Sequence, residues 1–95
     1  MAAYMLALID VTDPGAYRAY TDRTPGVIQQ YGGRFVVRGG NPEALEGEVP
    51  SPRVVILEFP DKAAVKRFYD SPEYQEILPL RLAASKGRVT VLEGA

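Results

Sequence analysis

One stretch limits the architecture more than any other: Arg53–Phe59, which reads Arg-Val-Val-Ile-Leu-Glu-Phe between Pro52 and Pro60. Its β-branched and aromatic residues predict a strand, and its unbroken apolar run predicts burial on both faces. Strand side chains alternate, so Val55, Leu57 and Phe59 share one face and Val54 and Ile56 the other. A strand of this kind needs cover on both sides. A chain of 95 residues makes one domain, expected to span 1–95. Its remaining elements supply cover for one side only. The shortfall predicts a partner subunit.

The other elements fall in order around that strand. Tyr4–Val11 is a second strand with apolar residues on both faces: Tyr4, Leu6 and Leu8 on one, Met5, Ala7, Ile9 and Val11 on the other, with Asp10 interrupting the first. Asp13-Pro14 is a helix start, with Asp13 as N-cap and Pro14 at the first helical position. Tyr17, Tyr20, Thr21, Thr24, Val27, Ile28 and Tyr31 follow at helical spacing, and Pro25 predicts a kink or restart near Thr24. Gly32-Gly33 ends the helix. Arg34–Arg38 is an edge strand, with Phe35 and Val37 on one face and Arg34, Val36 and Arg38 on the other. Residues 39–52 form a long Gly- and Pro-containing loop, with Leu45 as its candidate anchor. Asp61 caps a helix, Ser71-Pro72 starts another, and Pro79 predicts a distortion within it. Tyr74, Ile77, Leu78 and Arg81 lie on one face of that last helix, so Arg81 stands where an apolar residue belongs. Gly87 is expected to end the helix and Arg88–Glu93 to form the last strand.

Strand, helix, strand, strand, helix, strand is the order of the ferredoxin-like α+β fold. Strands one and three are central in a four-stranded antiparallel sheet, and right-handed crossovers place the helices on one face. The bare face would then expose two apolar rows, more than soluble monomers usually carry. The expected remedy is a homodimer paired sheet on sheet.

Composition removes several functions. The chain has no Cys and no His, so thiolate chemistry, disulfides, the usual metal ligands and the usual general base are absent, and no metal or cofactor is expected. Net charge is −1, which disfavours nucleic acid and anionic membrane as partners. No run approaches a membrane span, and no basic segment precedes an apolar one as in a signal peptide, so a cytoplasmic location is expected. Glu58 is a weak candidate for a base made less acidic by burial. Gly39-Gly40 precedes no helix and lacks the pattern of a phosphate loop.

The fold sorts Asp10, Arg38, Arg53 and Arg88 to one end of the sheet, where the first helix brings Tyr17 and Tyr20 and the last brings Arg81. This predicts a pocket for a small anion. Arg38 and Arg81 would bind it through the guanidinium fork, Tyr20 and Tyr74 would line it, and Asp10 would hold an arginine or act as a base. The competing reading is internal ion pairing, Asp10 with Arg88 or Arg38, and Arg81 with a carboxylate such as Glu46.

Nearly the whole chain resembles the DUF1330 family of the dimeric α/β-barrel superfamily. The resemblance rests on Val11-Thr12-Asp13-Pro14 with Tyr17 and Tyr20, on Tyr31-Gly32-Gly33-Arg34-Phe35, and on Val37-Arg38-Gly39-Gly40. It continues through Leu45-Glu46-Gly47, Glu58-Phe59-Pro60, Ser71-Pro72-Glu73-Tyr74 and Leu80-Arg81. It implies the same fold and a dimer. Superfamily relatives include cofactor-free monooxygenases, muconolactone isomerases and haem enzymes, and the haem reading lacks its proximal His here. Three functions stay open: a cofactor-free enzyme acting on a small carboxylate or phenolic metabolite, a non-catalytic small-molecule-binding dimer, and a structural or interaction module.

Overall fold

The computed structural model describes residues 1–95. It contains β1 (Ala3–Val11), α1 (Pro14–Gln30), β2 (Arg34–Gly39), β3 (Arg53–Phe59), α2 (Lys62–Asp70), α3 (Pro72–Ala84) and β4 (Ser85–Glu93). The sheet order is β2-β3-β1-β4, and every neighbouring pair is antiparallel. This is the ferredoxin-like arrangement, with the second helical unit divided into α2 and α3.

The helix starts follow local chemistry. Asp13 accepts a hydrogen bond from the Ala16 N–H at 3.1 Å, Asp61 from Ala64 at 2.8 Å, and Ser71 from Tyr74 at 3.1 Å. Each satisfies a donor that the first helical turn leaves free. Gly32 turns the chain out of α1 with φ +82°, a conformation costly for any residue with a Cβ. Pro25 neither splits α1 nor restarts it, and Pro79 is likewise carried inside α3. Beside Pro25, the buried Thr24 hydroxyl bonds the Tyr20 carbonyl within the same helix.

Two expectations change at the other junctions. Gly87 does not end α3. The helix stops at Ala84, whose carbonyl accepts from the Thr12 and Asp13 N–H groups, and β4 begins at Ser85. Gly87 is small for a different reason: it pairs with Ile9, and a Cβ there would lie 2.6 Å from the Ile9 Cδ1. Leu45 does not anchor the long loop either, being 95% exposed. The buried Ser51 does, donating from Oγ to the Ile9 carbonyl at 2.6 Å.

The sheet's two faces differ. Ala3, Met5, Ala7 and Ile9 of β1, with Leu57 and Phe59 of β3, are buried beneath the helices. There they meet Phe68, Tyr74 and Ile77, and the Phe68 ring packs against Phe59 and Tyr74 with centroids 5.3 and 4.6 Å away. On the opposite face Leu6, Leu8, Val54 and Ile56 have no covering element and are only partly buried by their neighbours within the sheet.

Candidate functional site

Between the helices and the covered face lies a narrow cavity, about 40 Å³ in volume, that opens to the surface. Most of its wall is apolar, but Arg38, Arg53 and Arg81 enter it with Tyr17, Tyr20 and Tyr74. Each arginine arrives by a different local rule.

Arg81 follows from helical spacing. It shares the buried face of α3 with Tyr74, Ile77 and Leu78 and is 5% exposed. A long helical side chain leans toward its own N-terminus, which carries the guanidinium back toward Tyr74. Arg53 follows from strand alternation. It pairs with Ile9 and shares the parity of Val55, Leu57 and Phe59, so it faces the helices, with its guanidinium carbon 5.8 Å from the Tyr17 ring centre.

Arg38 arrives through a bulge. The β2–β3 register pairs Phe35 with Leu57 but Val37 with Ile56, leaving Val36 as the extra residue. The bulge reverses the alternation predicted for this strand. Phe35 and Arg38 now share the helix-covered face, while Arg34 and Val37 share the open one. Arg38 lies over the Phe35 ring, 4.5 Å from its centre, at the cavity mouth.

The tyrosines form the inner wall. The Tyr20 and Tyr74 hydroxyls are 2.7 Å apart and buried. Burial and then the adjacent Tyr74 push the Tyr20 hydroxyl far above its ordinary value, so it is a neutral group at any working pH. Burial opposes the charge on Arg81, but the neighbouring Tyr74, Tyr20 and Tyr69 oxygens outweigh it and raise its pKa from the ordinary value. Arg81 therefore keeps its charge inside the cavity.

No carboxylate answers these charges. The ion pairs are Arg23–Glu76, Arg34–Glu58 and Lys62–Glu93, and none includes Arg38, Arg53 or Arg81. The Nε atoms of Arg53 and Arg81 are buried without a hydrogen-bond partner. The expected pairing of Arg81 with a residue such as Glu46 does not form.

The structure thus brings Tyr20, Arg38, Tyr74 and Arg81 to one cavity and adds Arg53. Asp10 does not join them. It shares the parity of Tyr4, Leu6 and Leu8, is exposed, and borders a shallow surface depression with Lys86 and Arg88. It makes no ion pair with Arg88 or Arg38. Glu58 also faces the open side. It accepts from Arg34 Nε at 2.8 Å and from the Tyr4 hydroxyl at 3.0 Å, which hold its carboxyl below the usual range, the reverse of what a base would need. No group of three or more His, Cys, Asp or Glu is placed to hold a metal ion. No helix is long and apolar enough to cross a membrane.

A ferredoxin-like fold with a cationic, tyrosine-walled cavity under its helices is the class of protein that fold and site define. Within that class, the family model described as a domain of unknown function, DUF1330, matches residues 2–95, and the chain belongs to that family. A protein of unknown function from Rhodopseudomonas palustris is 27% identical, with a TM-score of 0.79 over 99% of this chain and 82% of that one. A dimeric ferredoxin-like protein of unknown function from Jannaschia sp. CCS1 is 18% identical, with a TM-score of 0.71 over 99% of this chain and all (100%) of that one. SnoaB, a cofactor-independent oxygenase from Streptomyces nogalater, is 15% identical, with a TM-score of 0.67 over 99% and 93% of the two chains. No curated protein matches the chain.

Proposed function

We propose that this protein binds a small organic anion, a carboxylate or a phenolate, in the cavity beneath its helices, and that it does so as a homodimer. One observation carries the ligand: three arginines enter a mainly apolar cavity that contains no carboxylate, and two of them keep a buried Nε without an acceptor. Holding unpaired charge away from water is costly, and an anionic ligand relieves that cost on binding. Arg81 and Arg38 present planar donor forks, and the neutral Tyr20–Tyr74 pair offers a hydroxyl donor beside them.

The homodimer rests on the uncovered apolar residues of β1 and β3 and on the dimeric relative from Jannaschia. Pairing two open faces buries Leu6, Leu8, Val54 and Ile56 against their copies.

Cofactor-free catalysis is the second reading, and the oxygenase neighbour favours it. Three cations around a bound enol or phenol stabilise its anion, which is the electrostatic part of such chemistry. Asp10 has no role in this reading, because its carboxylate lies across the sheet. The substrate itself must therefore ionise readily.

Thermal shift with a panel of carboxylates, phenols and phosphates tests the proposal. A ligand at a hundred times its Kd contributes about 2.7 kcal/mol, a rise of several degrees in a domain of this size. We expect that rise with carboxylates or phenols, and we expect Arg81→Met to abolish it. A folded wild-type protein that shifts with none of them overturns the reading.

A further inference from the structure

The cavity's cations stand in two groups. Arg81 forms the inner group, beside the Tyr20–Tyr74 hydroxyl pair. Arg38 and Arg53 form the outer one. Both also line the shallow depression just outside, with Arg18 and Tyr17, to which Arg81, Tyr20 and Tyr74 do not contribute. Gly39 makes room for the outer group: a Cβ on it would stand 3.1 Å from the Arg53 Nη1. The wall the two groups share is mainly apolar, with Met5, Ala7, Val55 and Leu57 from the sheet and Ile28 from the helix side.

Each group has its own unsatisfied donor. The Arg81 Nε is orphaned inside and the Arg53 Nε outside, and both atoms are shielded from solvent. A ligand with one acidic group answers one end and leaves the other desolvated and unpaired, the costly state for a buried donor. Resting on the ligand-binding reading above, we infer that the ligand is an elongated dianion: two acidic groups joined by an apolar body that spans the cavity from Arg81 to Arg53 and Arg38. The inner acidic group is the anchor, because attraction between charges is stronger where water is excluded. The outer group selects dianions over monoanions.

Calorimetry with linear α,ω-dicarboxylates of four to nine carbons, each against the monocarboxylate of equal length, tests this on the intact protein. At one length the dicarboxylate is expected to bind at least about tenfold more tightly than its monocarboxylate. Arg53→Met, shown by its melting curve to be folded, is expected to remove that advantage, so that a dicarboxylate and the monocarboxylate of equal length bind within about twofold of each other. Arg81→Met is expected to abolish binding of both. Monocarboxylates that bind as tightly as dicarboxylates at every length overturn the dianion and leave the anion site standing. An Arg53→Met variant that weakens both series equally does the same. Failure of every acid to bind overturns the anion site itself.

Discussion

The two faces of the sheet treat charge and apolar surface in opposite ways. On the open face the main charge cluster is internally satisfied, since Glu58 accepts from both Arg34 and Tyr4, while Leu6, Leu8, Val54 and Ile56 lie uncovered. On the helix-covered face Ala3, Met5, Ala7, Ile9, Leu57 and Phe59 are almost fully buried, while Arg38, Arg53 and Arg81 have no counterion. The difference separates two kinds of missing partner. A broad apolar surface is removed from water by another broad surface, which means protein. Unpaired cations within a narrow cavity are satisfied by something small enough to enter it, which means a ligand.

The largest effect belongs to the open face. Leu6 sits mid-strand, opposite Ile56 on one side and Thr90 on the other. In a two-fold dimer Leu6→Asp places a carboxylate in the interface twice. We expect dimer dissociation to rise by about three orders of magnitude, from a desolvation cost of roughly 2 kcal/mol per copy. Sedimentation velocity across micromolar concentrations measures it. A wild-type protein that sediments as a monomer there breaks the comparison, because the apolar face would then stand in water.

The next effect belongs to the covered face. Arg81→Met removes a buried charge attended only by tyrosine oxygens and leaves a flexible apolar chain of similar length. We expect the unliganded variant to stay within about 1 kcal/mol of wild type in urea unfolding while losing ligand binding. A loss of more than about 3 kcal/mol would show that the protein itself satisfies the guanidinium and needs no ligand to do so.

Parity rules carried most of what the sequence revealed. β3 was legible to its exact ends, as Arg53–Phe59, because its composition and flanking prolines agree. Arg81 was legible because i, i+3, i+4, i+7 spacing put it on a buried face. The same alternation that assigns Val55 and Leu57 to the helix side also assigns Arg53 there, and it assigns Asp10 to the side of Leu6 and Leu8. Grouping charges by strand end alone sets that parity aside and favours Asp10 over Arg53. The orientation of Arg38 was not legible. It depends on the bulge at Val36, which nothing in Arg-Phe-Val-Val-Arg announces, since the register there is set by pairing with β3. Nor was the Tyr20–Tyr74 contact, which joins residues 54 positions apart. Gly87 misled because a glycine needed for close approach to Ile9 looks the same in sequence as one that ends a helix.

The smallest effect tests whether the charges on the open face are settled as described. Hydrogen bonds from Arg34, and then from Tyr4, hold the Glu58 carboxyl below its ordinary 4.5. A carboxyl depressed by folding contributes stability that is full above 4.5 and is lost as the pH falls through the folded value. Wild type should therefore lose stability faster than Glu58→Gln on acidification below 4.5, with parallel curves above it. Tyr4 supplies the alkaline counterpart. Its hydrogen bond to Glu58 raises it above 10.0, so its contribution is full below that value and is lost as the pH climbs through the folded one, a limb that Tyr4→Phe should flatten. Both limbs should be shallow in a monomer, because solvent and salt screen exposed pairs. If two open faces pair, this cluster lies in or beside the contact, and protonating Glu58 then acts on association as well as folding. The acid limb of wild type should then shift with protein concentration, and that of Leu6→Asp should not. An acid limb that ignores concentration in both proteins would leave the cluster a feature of the single chain and remove the open face's claim to a partner.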